Sequence, residues 1–396
     1  MIDFQPRLAR LVQELQALES QHLRRHLQVI DAVLPDGWVR VGDRELLNLS
    51  SNDYLGLSQD ERLIAAAQQA AARWGTGSTA SRLIAGNYAL HAEVEAQVAA
   101  FKGTARAALF NTGYMANVGI IAALMGRGDV IFSDRLNHAS IIDGIRLSGA
   151  AFYRFRHRDL NHLEELLHKT AGAKNRLIIT DTVFSVDGDL APLRELVELK
   201  DRYRVWLMVD EAHATGIWGA KGAGLAEAMG VAEGVEIHMG TFSKALGSFG
   251  AYAAGEDSLI EYLYNRARSF IYSTALPPPV LGAIQASLKI VTQEPERRQG
   301  LLSQAARFRE KLQAAGFNTL NSETQIIPVL AGDNRLALEF ADRLRQAGIM
   351  AVAIRPPTVP PGGARIRFSL AASHAPEALD WAAQVIIQVG QELELS

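Results

Sequence analysis

The stretch Trp206-Leu207-Met208-Val209-Asp210-Glu211-Ala212-His213 runs from apolar residues straight into a charged cluster. A short apolar run that ends on a carboxylate reads as a buried strand whose C-terminal end opens onto a polar site. Runs of the same kind lie on both sides of it, at 105–110, 130–133, 152–155, 177–180, 237–239 and 251–254, with helical patterns between them. This alternation predicts crossover units, hence an α/β fold with a mainly parallel sheet and helices on both faces. Ligands of such sheets sit outside the carboxyl ends of the strands, so the residues after each run carry the functional information.

Outward from this region the pattern changes. Leu8, Leu11, Val12, Leu15, Leu18 and Leu23 recur at helical spacing, which predicts an N-terminal helix over 4–30, closed by the turn Pro35-Asp36-Gly37. Beyond Pro277-Pro278-Pro279 a long helical stretch, with a break near Glu294-Pro295, leads toward a second, smaller C-terminal α/β domain. There, strands are expected at 325–330, 350–354 and 366–370, helices at 335–347 and 376–389, and a Pro/Gly-rich loop at 355–363. The expected division is an N-terminal helical segment over 1–48, a large domain over 49–285 and a C-terminal domain over 286–396.

Composition narrows the functional classes. With 396 residues, 48% apolar and 21% charged, the chain can fill more than one core and lacks the signature of disorder. A net charge of -3 gives no reason to expect nucleic acid or an acidic membrane as partner, which leaves small molecules. The absence of cysteine excludes disulfides, thiolate metal sites and thiol catalysis. Charged residues interrupt the N-terminal segment, unlike the core of a signal peptide, and no stretch reaches the ~18 uncharged apolar residues of a membrane span, so a cytoplasmic protein is expected.

Lys244 follows the run ending Met239-Gly240 and precedes Gly247, a setting from which its amine can point into a cleft. The other lysines, at 102, 169, 174, 200, 221, 289 and 311, read as helix faces or loops where a solvated charge is usual. A crowded lysine forms imines with aldehydes, although taken alone Lys244 is equally compatible with a phosphate-binding or structural role. Asp210 changes the balance: a carboxylate at the end of an apolar strand needs a cation, and a protonated pyridine nitrogen supplies one while letting the ring accept electrons. A metal ligand or helix cap is the competing reading of Asp210 and His213, but no further His/Asp cluster completes a metal site.

Two histidines can stand beside that ring, His213 within reach of a ring hydroxyl and His138 able to stack on its face, with a structural role as the alternative for each. Asn111-Thr112-Gly113-Tyr114-Met115-Ala116-Asn117 is a strand-to-helix turn suited to a phosphate, and Thr241 and Ser243 add hydroxyls near the lysine. The glycine-rich stretch at 75–82 follows a helical pattern instead, so a dinucleotide fingerprint fits poorly. In the proline-rich loop, Arg355 is suited to a bidentate grip on a substrate carboxylate, with an ordinary surface ion pair as the alternative.

Four stretches taken together, Asn48-Leu49-Ser50-Ser51-Asn52-Asp53-Tyr54-Leu55-Gly56-Leu57, Leu136-Asn137-His138-Ala139-Ser140, Asp210-Glu211-Ala212-His213-Ala214-Thr215-Gly216 and Gly240-Thr241-Phe242-Ser243-Lys244-Ala245-Leu246-Gly247, resemble the α-oxoamine synthases. These are fold-type I pyridoxal-phosphate transferases, and the resemblance spans nearly the whole chain. It implies pyridoxal 5'-phosphate as cofactor, an amino acid and an acyl thioester as substrates, release of carbon dioxide, and a homodimer with shared active sites. The loop Ile354-Arg355-Pro356-Pro357-Thr358-Val359-Pro360 is most similar to the branch that uses L-alanine and a pimeloyl thioester, carried on coenzyme A (pimeloyl-CoA) or on a carrier protein, in biotin biosynthesis.

By this resemblance Lys244 is the lysine that binds the cofactor aldehyde, Asp210 the pyridinium partner and His138 the stacking residue, while His213 and Ser185 contact the ring hydroxyl. Gly113, Tyr114 and Thr241 fall at phosphate-side positions, with Thr274 a phosphate contact from the other subunit. Arg355, Thr358, Asn52 and Arg24 match substrate-binding positions, Arg24 near the distal carboxylate of the acyl chain. Two residues depart from the family pattern: Ser243 stands where glycine is frequent, and Asp181 where glutamate and aspartate alternate. Rival readings are a related synthase using glycine or serine, an aminotransferase or lyase of the same fold, and a non-catalytic cofactor-binding protein.

Overall fold

The computed structural model describes residues 5–395. Seven strands form the main sheet, in the spatial order Arg106–Phe110, Ala251–Gly255, Ile237–Thr241, Trp206–Asp210, Arg176–Asp181, Val130–Asp134 and Ala151–Phe155. The last five of these are parallel neighbours. Ala251–Gly255 is the exception, antiparallel to both strands beside it. Two reversals cancel, so Arg106–Phe110 points the same way as the parallel set. Gly113, three residues beyond its end, therefore opens onto the same edge of the sheet as Asp210 and Lys244.

The inner strands form because they are buried on both faces and can be largely apolar, whereas the edge strand Ala151–Phe155 is exposed at four of its five residues. Ile131, Ile179, Met208 and Ile237 from the sheet share one core with Ile120, Ile121, Ile141 and Ile145 from the helices Gly113–Leu124 and Ala139–Ser148. Each such side chain contributes about 1.5–3 kcal/mol when removed from water. Elsewhere the helices Pro278–Gln293 and Glu61–Trp74 lie in close contact. Gly282 permits it, because a Cβ there would stand 2.5 Å from the Ala66 carbonyl oxygen.

The chain divides into two compact units, one holding 52–185 and 189–301, the other the described residues up to Ser51, Val186–Gly188, and those from Leu302 onward. The change of unit thus falls within the helix Pro295–Ala314 rather than at 285. The N-terminal segment joins the C-terminal unit because Arg44–Asn48 pairs in parallel with Ile349–Met350. That unit also contains a three-stranded antiparallel sheet in the order Ile326–Gly332, Ala364–Ser369, Val352–Ile354.

Local structure differs from the sequence reading in two places. The N-terminal helix covers Gln5–Ser20 and stops ten residues short of 30. His22, at φ +56°, closes it in a Schellman arrangement, with His22 N–H donating to Glu19 O (2.9 Å) and Leu23 N–H to Leu18 O (2.8 Å). Glycine usually announces such a stop, and none is present here. The expected strand at 350–354 is two short pieces, Ile349–Met350 and Val352–Ile354, which pair in different sheets.

Candidate active site

The parallel strands deliver their terminal residues to one cavity of about 130 Å³, lined by Gly113, Tyr114, Asn117, His138, Ser140, Asp181, Ser185, Asp210, His213, Thr241, Ser243 and Lys244 among others. Ten of the residues singled out from sequence are therefore brought together: Lys244, Asp210, His138, His213, Ser185, Gly113, Tyr114 and Thr241, with Asp181 and Ser243. Asn52 adjoins this group through Tyr54, described below.

Asp210 ends its strand and is buried, 5% exposed. Its Oδ1 accepts the backbone N–H of Ala212 at 2.9 Å, and its Oδ2 accepts Asn117 Nδ2 at 2.8 Å. The same Asn117 amide donates to Ser140 Oγ at 2.9 Å, and Ser140 Oγ lies 2.7 Å from His138 Nδ1. One buried asparagine thereby connects the carboxylate to the histidine. Asn117 and Ser140 were not predicted as site residues. Asn117 was legible only as part of a glycine-containing turn, and Ser140 as part of the His138 stretch.

Asp181 is the in-register neighbour of Asp210 on the adjacent strand. Burial, with the Asp210 charge beside it, raises the Asp181 carboxyl well above the usual carboxylate range. Its Oδ2 accepts the His138 backbone N–H at 2.9 Å, so it shapes the turn that presents His138. Desolvation by the cavity walls lowers the His138 pKa, Lys244 reinforces this, and Asp210 opposes it.

His213 is held from behind. Its Nδ1 lies 2.7 Å from the hydroxyl of Tyr54, which is fully buried and also reaches Asn52 Oδ1 at 3.1 Å. With the tyrosine hydroxyl donating to Asn52 Oδ1, His213 Nδ1–H donates to the tyrosine oxygen, which fixes the orientation of the ring. Tyr54 was quoted in a family stretch without a role; its burial is what sequence alone does not display.

Gly113 starts the helix Gly113–Leu124, capped by Thr112, whose hydroxyl accepts Met115 N–H at 3.1 Å. A Cβ at 113 would stand 2.7 Å from Thr241 Cγ2, so this corner requires glycine. The Thr241 hydroxyl is buried without a hydrogen-bond partner. An unpaired hydroxyl beside the N-terminus of a helix suits a phosphate, and a buried carboxylate in the same cavity suits a protonated ring nitrogen. The residues present thus fit pyridoxal phosphate.

The remaining candidates lie elsewhere. Thr274 is exposed and outside the cavity lining; its carbonyl accepts Asn111 Nδ2 at 2.8 Å, and it bridges Ser81. Arg355, Thr358 and Arg24 belong to the other unit. There the Arg355 guanidinium donates to the His22 carbonyl and to Arg24 O (3.3 Å), while Thr358 N–H donates to Arg355 O at 3.1 Å.

Lys102 corrects the sequence reading. It is not a solvated helix-face charge but a buried one, paired with Glu211 and hydrogen-bonded to the Ala223 carbonyl. Lys200 is likewise largely buried, with Glu236 Oε1 at 2.7 Å. Burial would raise the Glu211 pKa, but the Lys102 charge brings it down to about 2. Among the described residues, no group of three or more His, Cys, Asp or Glu could hold a metal ion, and no helix is long and apolar enough to cross a membrane.

Comparison with known proteins places the chain in a family. The family model for aminotransferase class I and II matches residues 44–386. A curated relative from Bacillus cereus (strain Q1), named "Putative 8-amino-7-oxononanoate synthase", is 51% identical over 385 residues, covering 97% of this chain and 98% of the relative. Among solved structures, serine palmitoyltransferase from S. paucimobilis, with a PLP–myriocin adduct bound, superposes with a TM-score of 0.94 at 30% identity over 100% of both chains. The 8-amino-7-oxononanoate synthase of Francisella tularensis gives 0.77 at 29%, over 88% of this chain and 98% of that one. The chain belongs to the class I and II aminotransferase family and, within it, to the α-oxoamine synthases, which are fold-type I pyridoxal-phosphate enzymes. It is a pyridoxal-phosphate-dependent acyltransferase of the 8-amino-7-oxononanoate synthase type.

Proposed function

We propose that this enzyme joins the Cα of L-alanine to the carbonyl of a pimeloyl thioester, releasing the thiol and carbon dioxide and yielding 8-amino-7-oxononanoate for biotin biosynthesis. The observation that carries it is the joint lining of one cavity by Lys244 and Asp210 in a chain so similar to relatives of that name. Pyridoxal phosphate, when bound, supplies an aldehyde that captures amines and a ring that accepts electrons from the substrate carbon.

In this reading the Lys244 amine holds the cofactor and, once displaced by alanine, takes the proton from the alanine Cα. Asp210 keeps a proton on the ring nitrogen, and His138 covers the ring face. His213 and Ser185 bind the ring hydroxyl. The Gly113 and Tyr114 amides with the Thr241 hydroxyl bind the phosphate, joined by Thr274 from a second copy of the chain. Arg355 and Thr358, with Asn52, bind substrate, and Arg24 receives the distal carboxylate of the acyl chain. A homodimer is supported by apolar side chains flanking the Ser81–Thr274 bridge, with Ile84 81% and Tyr272 71% exposed.

The higher TM-scores of the serine palmitoyltransferases favour a serine-using reading as the rival, against the greater sequence identity to the alanine-using type. Mass spectrometry of products distinguishes them. Purified enzyme with pyridoxal phosphate is offered L-alanine with pimeloyl-CoA, L-serine with palmitoyl-CoA, and glycine with acetyl-CoA. 8-Amino-7-oxononanoate with carbon dioxide is the expected product. A product from another pair alone would keep the family and overturn the substrate; no product from any pair, nor from a pimeloyl-carrier protein, would overturn thioester condensation.

A further inference from the structure

His157 lies outside the cavity lining, yet it stands between two buried carboxylates. Its Nδ1 is 2.9 Å from Asp134 Oδ1 and its Nε2 is 2.7 Å from Asp189 Oδ2. Both carboxylates have side chains only 2% exposed, while the His157 side chain is 23% exposed. Carboxylates only accept, so both ring nitrogens must donate, and only the imidazolium does that. Burial would lower the His157 pKa, but the two carboxylates raise it to about 9, which keeps the ring charged at neutral pH. Arg158 also faces the cluster, its Nη1 3.3 Å from Asp189 Oδ2, and the Asp181 carboxyl is near enough to feel the Asp134 charge.

Each carboxylate governs a different segment of the site. Asp134 Oδ1 accepts Leu136 N–H at 2.8 Å, and its backbone oxygen accepts Asn137 N–H at 3.2 Å, which forms the turn that delivers His138. Asp189 sits at the base of a hairpin: its carbonyl accepts Phe184 N–H at 3.0 Å, Val183 bridges Leu190, and Ser185 is the next residue out. The His157 ring also meets Phe184 edge-on, centroids 4.4 Å apart at 89°.

We propose that His157 is a positioning residue that ties the His138 turn to the Ser185 hairpin, so that both reach the cofactor ring in a fixed mutual arrangement. This rests on the reading of His138 and Ser185 as cofactor contacts. A merely structural ion cluster would hold the fold without tuning the ring.

The test measures pyridoxal-phosphate affinity by rebinding to stripped enzyme, the visible circular dichroism of the bound cofactor, and melting of the cofactor-free protein. The variants are H157Q, D189N, S185A and the double variant H157Q/S185A. Expected are a loss of affinity of about tenfold and an altered dichroism band in H157Q and D189N, with the double variant losing less than the product of the two single losses. Affinity and dichroism within twofold of wild type in H157Q, with only the melting temperature lowered, would overturn the positioning role. If H157Q does not fold, D189N, which keeps the side-chain shape, decides by the same criteria. A silent S185A would instead overturn the reading of Ser185, and the clamp with it, whereas a strong S185A beside a silent H157Q would overturn the clamp alone.

Discussion

Asn117 Nδ2 stands 2.8 Å from Asp210 Oδ2, and through its second proton it fixes Ser140, which in turn fixes His138. The carboxylate read as the ring-nitrogen partner and the histidine read as the stacking residue are thus set by one amide. Asn117→Ala removes a hydrogen bond to a charged acceptor, worth about 1.5–3 kcal/mol, so kcat/KM should fall roughly 10- to 100-fold. Steady-state kinetics of the folded variant checks this; a change under twofold would dissociate Asn117 from the chemistry.

Lys244→Ala should abolish turnover and the visible absorbance of the cofactor-loaded protein, because no other lysine lines the cavity. Asp210→Asn should retain the fold but slow exchange of the alanine Cα hydrogen, measured by deuterium incorporation. Wild-type exchange in that variant would remove Asp210 from the role of holding the ring proton.

Gly113→Ala places a methyl 2.7 Å from Thr241 Cγ2 at the phosphate corner. Weaker pyridoxal-phosphate binding is expected, by about tenfold or more, since small-to-large changes in tight sites cost roughly 1–3 kcal/mol. Equilibrium rebinding of the cofactor reads it, and unaltered affinity would move the phosphate elsewhere.

Glu211→Gln would leave Lys102 buried without its counter-charge. Breaking such a pair by removing one partner costs about 3–5 kcal/mol, far more than an exposed pair would. Urea unfolding should show a loss of that order, whereas a loss below about 1 kcal/mol would mean that water or a neighbour takes over the pairing.

The His157 pKa is raised on folding to about 9, above the ordinary histidine value of 6.5, so the folded chain binds the extra proton more tightly. Its stabilisation is therefore fully present below pH ~6.5 and is lost as pH rises through ~9, an effect on the order of 2–3 kcal/mol. Denaturant unfolding between those limits should show the decline in wild type and a flatter profile in H157Q. Parallel profiles would place the titration on another group.

How much of this was readable beforehand follows from the physics of each signal. The sheet was legible because strands buried on both faces must be apolar, and the candidate cluster because polar residues at their ends stand out. The antiparallel placement of Ala251–Gly255 was not, since an apolar run is the same in either direction. Lys102 misled because its partner, Glu211, is 109 residues away, and only folding brings them together. His157, Asn117 and Tyr54 act on residues close in space and distant in sequence, so spacing carried no hint of them.

The cavity draws Gly113, His138, Asp181, Asp210 and Lys244 from five different strand ends of one sheet. The constellation is complete only when six neighbouring strands, all but Ala151–Phe155 at the edge, are in place, so a chain zipped over fewer of them cannot hold the cofactor as the finished enzyme does. Capture of pyridoxal phosphate should then be a late event in refolding, and the growth of its visible signal would time the moment at which the last of these strands locks into register.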